Sequence, residues 1–315
     1  MGSLRIGQIR RETSFMSALS TQTTERSYAS GQVKKLRGRK LQSGLLRTLY
    51  ILIMVCGSIG VLTPIVWMLS TSLKSAGTVM LMPPQWIPHP LQWRNYIDAI
   101  DFLDKGMVFG NTLVIVLFSI VGQLFASTLA GFGFARIHVP GREWLFLLVL
   151  TGFMLPVQVT LIPQFVLFSK FGWIDTYYPL IVPEFMGAPF YIFLARQFFL
   201  TIPLEMDEAA RVDGCGYFGI YTRIILPLSK PLLGIISIQT FMHAWNDFLR
   251  PLIFLHTSSK YTVALALQNF TADYGMTPWH LLMAATLTAL LPCIALFFVA
   301  QRYFIQGIVI SGVKG

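Results

Sequence analysis

Residues 208–227 read "EAARVDGCGYFGIYTRIILP". The stretch starts charged, is broken by glycines and turns apolar. It lies in a 315-residue chain that is 54% hydrophobic and only 12% charged. Soluble domains carry about 25% charged residues. Mean hydropathy is +0.62, and a single soluble core of this length would be unusually large. The composition therefore predicts an integral membrane protein. A polar helix with a glycine joint, set between two apolar segments of such a chain, needs a purpose.

The segment begins upstream, at "TIPLEMDEAARVD" (201–213). Pro203 suits a first helical turn, and Glu205 and Asp207 suit a positive helix N-terminus. Asp207 and Arg211 stand four apart, acid first, which favours the helix. Met206, Ala209 and Ala210 form one narrow face. Two adjacent alanines there let another backbone approach closely. Gly214 and Gly216 are expected to end the helix and permit a left-handed turn. "YFGIYTRIILPL" (217–228) then resumes as an amphipathic piece that Pro227 breaks. The reading is a helix, a glycine joint and a second helix.

A helix needs about 20 apolar residues to cross a bilayer. Six stretches qualify: 49–72, 110–133, 143–168, 178–200, 232–256 and 281–305. The expected fold is therefore an all-α membrane protein with six transmembrane helices. Residues 1–48 are rich in Arg, Lys, Ser and Thr, lack apolar periodicity, and read as a basic, mobile tail ending in "KKLRGRK" (34–40). Residues 49–315 form the transmembrane domain, with 110–305 as its core and the loop 201–231 within it.

The net charge of +10 is topology signalling rather than a nucleic-acid stripe. With the N-terminus inside, eighteen Lys and Arg fall in inside segments and five in outside loops. Positive residues mark the cytoplasmic side. Both termini and residues 201–231 are therefore expected in the cytoplasm, with the chain a multi-pass membrane protein. Trp86, Trp93 and Trp279, in the outer loops, read either as an interfacial aromatic belt or as contacts to an external partner.

Enzyme signatures are missing from the sequence. There is no P-loop, no GxSxG, no HExxH and no CxxC. Cys56, Cys215 and Cys293 read as packing residues, and the five histidines lack ligand spacing. "GFGFAR" (131–136) reads as a helix C-terminus rather than a nucleotide fingerprint. No catalytic residue, bound cofactor or metal is expected in this chain.

The spacing in the opening stretch is specific: Glu-Ala-Ala, three residues, Gly, nine residues, Ile, one residue, Leu-Pro. Seven fixed positions coincide by chance about once in 10⁸ starting points at average composition. The pattern resembles the EAA loop of bacterial ABC importer permeases. Glu208, Ala209, Ala210, Gly214, Ile224, Leu226 and Pro227 fall on its positions, with Asp213 beside the glycine. The resemblance implies that these residues dock into a cleft of a separate ATPase and transmit its closing motion to the membrane helices. ATP and Mg would be bound by that partner, and the membrane that the resemblance implies is the bacterial inner membrane.

Two further stretches, "AWNDFLRPLIFL" (244–255) and residues 281–315, resemble the carbohydrate-uptake branch. They are similar to the subunit equivalent to the second permease of the maltose transporter. The resemblance covers most of 110–315. It implies a second, unlike permease subunit, an ATPase pair, an extracytoplasmic solute-binding protein and a sugar or oligosaccharide substrate. It also implies that the terminal "SGVKG" reaches the ATPases.

Span five carries its own signal. Gln239, His243, Asn246 and Arg250 recur on one helical face, with Asp247 beside them. Polar side chains within a span are costly and face a partner or a watery path. Two readings stand side by side: a polyol-binding wall, or polar glue against the partner permease. The Asp247–Arg250 pair reads as structural. In span three, Pro156, Gln158, Pro163 and Gln164 predict a kinked, partly hydrated helix. Glu184, between Pro183 and Pro189, is placed near the outer surface. Gln158 and Glu184 are each read as a packing, gating or solute-contact position.

The alternatives are a permease for another solute, such as a glycerol phosphate, and a stand-alone secondary transporter. The first would want basic groups along the path. The second would leave the EAA spacing unexplained. A membrane enzyme would have only His243 with Asp247 as an acid–base pair, without a nucleophile.

Overall fold

The computed structural model describes residues 46–272 and 277–312. The described residues are helical and contain no strand. The basic tail reading for 1–48 lies almost entirely outside them, as do the side chains of "SGVKG". Backbone contacts divide the chain between Val66 and Trp67. Helix α1, Leu46–Ser72, runs across that division and is long and apolar enough to cross a bilayer. The rest of the described chain belongs to the second unit.

After the end of α1, that unit holds a short amphipathic helix, α2 (Arg94–Phe102), and then a 30-residue helix, α3 (Met107–Arg136). At 1.5 Å per residue α3 is about 45 Å long, enough to span a membrane with length to spare. It ends where "GFGFAR" predicts: the Ile137 N–H bonds Gly133 O at 3.0 Å. Helices α4 (Arg142–Thr151) and α5 (Val157–Lys170) follow. Their segments, Arg142–Met154 and Val157–Lys170, meet at 97°. The bend falls at Pro156, whose extended backbone cannot continue the first helix. The kink expected in span three is there, and it is sharp enough to make two helices of one.

The chain continues through α6 (Tyr178–Ile181), a 3-10 turn at Val182–Met186 and α7 (Pro189–Leu200). Together these make one span-length segment, Tyr178–Leu200. Helix α8 (Leu204–Val212) leads by a turn to α9 (Tyr217–Ile220), a π-helical stretch Tyr221–Ile225, and α10 (Leu226–Leu228). Pro227 is therefore not the break. The break lies two residues later at Ser229, and the chain turns by 79° into α11 (Lys230–Trp245). Last come α12 (Leu249–Phe254), α13 (Val263–Ala272) and α14 (Trp279–Gly312).

Four segments are thus long and apolar enough to cross a membrane, and six if each bent pair counts as one span. Predicted span five, 232–256, is interrupted at residues 246–248. The cause is local capping. Asn246 Nδ2 donates back to Met242 O at 2.7 Å, and Asp247 Oδ1 accepts from Arg250 N at 3.3 Å. Each side chain offers the backbone a partner outside the helical ladder.

Helix α3 is the axis of packing. It lies along α7 and α11. At its closest approach to α7, a Cβ built on Gly131 would sit 2.5 Å from Ala195 Cβ. Small residues let helix backbones approach where lipid supplies no hydrophobic drive. One buried cluster joins Phe132, Ala135, Ala195 and Phe199 to Ala210, Ile220 and Ile225 of the loop. A second gathers Val116, Trp245, Ala284 and Ala285, and Trp245 Nε1 donates to Ala289 O at 3.2 Å.

Candidate functional site

Two places concentrate the polar chemistry: the helix–glycine–helix loop and a buried cluster beside the break in span five. In the loop, Pro203 precedes α8 and its extended backbone starts the helix. Gly214 has φ +82°, and a Cβ there would meet nothing within 4 Å. Its glycine is needed for backbone conformation, not for space. Gly216 has φ −74°, so the left-handed turn rests on Gly214 alone. The Cys215 N–H bonds Ala210 O at 2.9 Å and closes the helix end.

The face of α8 differs from the expected one. Asp207 and Ala210 are buried, while Met206, Glu208 and Ala209 are exposed. Asp207 does not pair with Arg211. Its Oδ2 lies 2.7 Å from Arg136 Nε, with the two side chains 4% and 2% exposed. Arg136 Nη2 also donates to Ile202 O at 2.7 Å. Arg211 instead lies over the Tyr217 ring, 4.8 Å from its centre. A buried guanidinium demands a carboxylate more than a solvated one does, so the distant partner wins. A second bond joins loop to α3: the Thr128 and Tyr221 hydroxyls are 2.7 Å apart. Away from these anchors the loop is open. Glu208, Asp213 and Leu204 are exposed, and Val212 and Phe218 are 88% and 70% exposed.

In the second place, Glu184 is the centre. Its side chain projects from the 3-10 turn Val182–Met186 and is buried. Arg250 Nη1 donates to Glu184 Oε1 at 2.9 Å, and Gln123 Nε2 donates to Oε2 at 2.6 Å. Arg250 Nε also donates to Asp247 Oδ2 at 2.5 Å, and Nη2 lies 3.3 Å from His243 Nε2. Gln123 Oε1 accepts from Ser127 Oγ at 2.9 Å and Ala188 N at 3.0 Å. One guanidinium thus faces two carboxylates. The cluster ties α3, the turn before α7, and both sides of the break in span five.

A model of the binding-protein-dependent transport system inner membrane component matches residues 124–310. A probable ABC transporter permease of Bacillus subtilis is 33% identical over 264 residues, covering 82% of this chain and 85% of that one. The chain belongs to this family of transport permeases. The arabinooligosaccharides transport system permease of B. subtilis is 39% identical over 66% of this permease and 73% of its own length. The sn-glycerol-3-phosphate transport system permease of Rhizobium meliloti is 32% identical over 82% and 94%. A crystal structure of a bacterial ABC transporter that imports alginate shares the fold. It aligns at TM-score 0.74 and 20% identity, covering 82% of this permease and 96% of that chain. The family and the all-helical permease fold are those expected from the sequence, while a count of six spans holds only if each bent pair is one span.

Of the residues singled out in the permease's sequence, His243, Asp247 and Glu184 come together around Arg250. They do so across a break rather than along the continuous face predicted for Gln239, His243, Asn246 and Arg250. Asn246 is exposed and serves the backbone of Met242. Gln239 is half-buried, and Gln158 is exposed on α5, apart from the cluster's bonds. In the loop, Ile224 and Leu226 are half-buried against the cluster that holds Phe132 and Phe199, while Pro227 is exposed. Sequence reasoning missed Gln123, Arg136 and Tyr221. A lone Gln and a terminal Arg in an apolar span were the available signals. Among the described residues no group of His, Cys, Asp or Glu is arranged to hold a metal.

Proposed function

We propose that this chain is one of two unlike permease subunits of an ATP-driven importer for a sugar or oligosaccharide. A separate ATPase pair, which binds ATP and Mg, drives it through residues 208–227. An extracytoplasmic binding protein delivers the solute, and this chain performs no chemistry of its own. Both termini and the loop lie in the cytoplasm on this reading. The relatives that move arabinooligosaccharides and the alginate importer, together with an alginate transporter seen with its oligosaccharide-bound periplasmic protein, support the assembly and the sugar class.

The observation that carries the coupling role is the exposed end of the loop. Glu208, Asp213, Val212 and Phe218 present charge and apolar surface together, while Asp207, Ala210 and Ile225 anchor the other side. Such a mixed face on a short anchored helix suits a protein partner. Glycerol phosphate is the second reading, since a permease for it is among the relatives. The buried cluster speaks against a phosphate-bearing solute. Its guanidinium is committed to Glu184 and Asp247, which leaves it unable to compensate a phosphate.

Copurification tests the reading. The tagged chain, gently solubilised from its host, should bring down an ATPase and a second permease. Glu208→Lys should lose the ATPase and keep the second permease. A chain that comes out alone and transports alone would overturn the proposal.

A further inference from the structure

The loop grips α3 at two points, an ion pair and a hydrogen bond, each joining residues far apart in the chain. Asp207 of α8 holds Arg136, the last residue of α3, at 2.7 Å. Tyr221 in the π-helical stretch holds Thr128, two turns back along α3, at 2.7 Å. The ion pair is nearly solvent-free, and neither Arg136 Nε nor Asp207 Oδ1 makes a hydrogen bond, so the contact is one of charge. The carboxylate is therefore held by the guanidinium alone, and Arg136 is fixed in turn by the Ile202 carbonyl. Around the pair, Phe132 and Ala135 of α3 share a buried cluster with Ala210, Ile220 and Ile225 of the loop.

Further along, α3 carries Gln123, which bonds Glu184 and through it Arg250. Thirteen residues of helix separate Gln123 from Arg136, about 20 Å at 1.5 Å per residue. An α-helix packed along its length moves as a strut, and coupling is carried by such rigid elements joined through polar contacts. Nothing comparable joins Glu208 or Arg211 to a membrane helix. Glu208 is exposed, and Arg211 lies over Tyr217 of the loop itself.

We propose that the Arg136–Asp207 ion pair hands the stroke of the coupling loop to α3, and so to the Gln123–Glu184–Arg250 cluster. Asp207 is a positioning residue: it faces away from the ATPase and holds α3 to the loop. The inference rests on the coupling reading of residues 208–227. It assigns the output of that loop to one helix and one pair of charges.

The test uses the assembled complex with a hydrolysis-deficient ATPase partner and Mg-ATP as the only ligand. The native cysteines are replaced by alanine, and a single cysteine is placed at Val114. Val114 lines an open cleft with Asp175, Thr176 and Lys260, about 33 Å along α3 from Arg136. Its reaction rate with a water-soluble maleimide reports movement of that end of the helix. Mg-ATP should change the rate in the parent complex. In Asp207→Asn, and in the double variant Arg136→Met with Asp207→Leu, the ATP-dependent change should fall at least tenfold. The ATPase should still copurify at parental yield in the double variant, where no charge is left buried alone.

An undiminished response to Mg-ATP in the double variant would overturn the pair's role. So would loss of the ATPase from both variants, since the pair would then only hold the fold. If the parent complex binds its ATPase but shows no response to Mg-ATP, the coupling reading itself fails, and the pair's role fails with it. The outcomes are separable because ATPase yield and maleimide rate are read from the same preparation.

Discussion

Arg250 and Glu184, 66 residues apart in the chain, meet at 2.9 Å beside the break in span five. The guanidinium is shared with Asp247 and the carboxylate with Gln123. Breaking a buried ion pair by removing one partner costs about 3–5 kcal/mol, because a charge is left uncompensated. Arg250→Leu leaves two carboxylates facing each other without their counter-charge. It should sharply lower the yield of monodisperse protein in mild detergent. Adding Glu184→Gln and Asp247→Asn to it should restore most of that yield. Failure of the triple variant to recover would mean that the cluster's packing, not its charge balance, sets stability.

Gly214 makes a separable prediction. Its φ of +82° is unfavourable for most side chains, yet a Cβ there has open space. The penalty of a substitution is therefore conformational, of order 1–2 kcal/mol. Asn tolerates this backbone region better than other non-glycine residues. Gly214→Leu should uncouple transport from ATP hydrolysis while the protein still inserts, and Gly214→Asn should be markedly milder. The ratio of solute transported to ATP hydrolysed is the readout. Equal transport ratios for Leu, Asn and wild type would show that the joint tolerates any geometry.

The contact of α3 with α7 gives a third. The Cβ of Gly131→Ala would lie 2.5 Å from Ala195 Cβ and 3.0 Å from the Arg196 nitrogen. Backbone lies behind the contact, so the helices must part. Overpacking of this kind costs typically about 1–3 kcal/mol. Gly131→Ala should lower the melting temperature of the solubilised protein, and Ala195→Gly should recover part of the loss. No interaction between the two substitutions would mean that the helices do not approach this closely.

The sequence made some of this plain and hid the rest for physical reasons. The end of α3 at Arg136, the turn at Gly214 and the bend at Pro156 are set by local backbone chemistry, so local reading finds them. The partner of Asp207 is not local. Four-residue spacing offers Arg211, but burial selects Arg136, 71 positions upstream, and periodicity holds no information about that choice. The break after Trp245 is invisible in the same way. The helical spacing of Gln239, His243, Asn246 and Arg250 continues through it, while the side chains of Asn246 and Asp247 stop the backbone. Even so, Arg250 folds back to within 3.3 Å of His243. The grouping was legible, but its geometry was not.

The loop after α5 supplies a prediction with a pH signature. Asp175 has φ 59° and accepts bonds from Lys260 Nζ at 2.9 Å, Thr257 Oγ1 at 2.7 Å, and the amides of His256 and Thr257 at 3.0 Å. The bond from Lys260 foremost, then those from Thr257 and His256, hold its carboxyl well below the usual carboxylate range. A group with its pKa depressed on folding stabilises the fold above its unfolded pKa, about 3.9 for Asp. That contribution fades as pH falls below about 4 and vanishes once pH passes the folded value. Wild type should therefore melt higher than Asp175→Asn by a constant margin between about pH 6 and 8. The margin should narrow progressively below about pH 4, where the carboxyl of the unfolded chain begins to protonate while the folded one stays ionised. Limited proteolysis of residues 255–261 should follow the same course, with Asp175→Asn cut faster at neutral pH. A margin that persists unchanged at acid pH would show that the side chain's shape, and not its charge, joins these two loops.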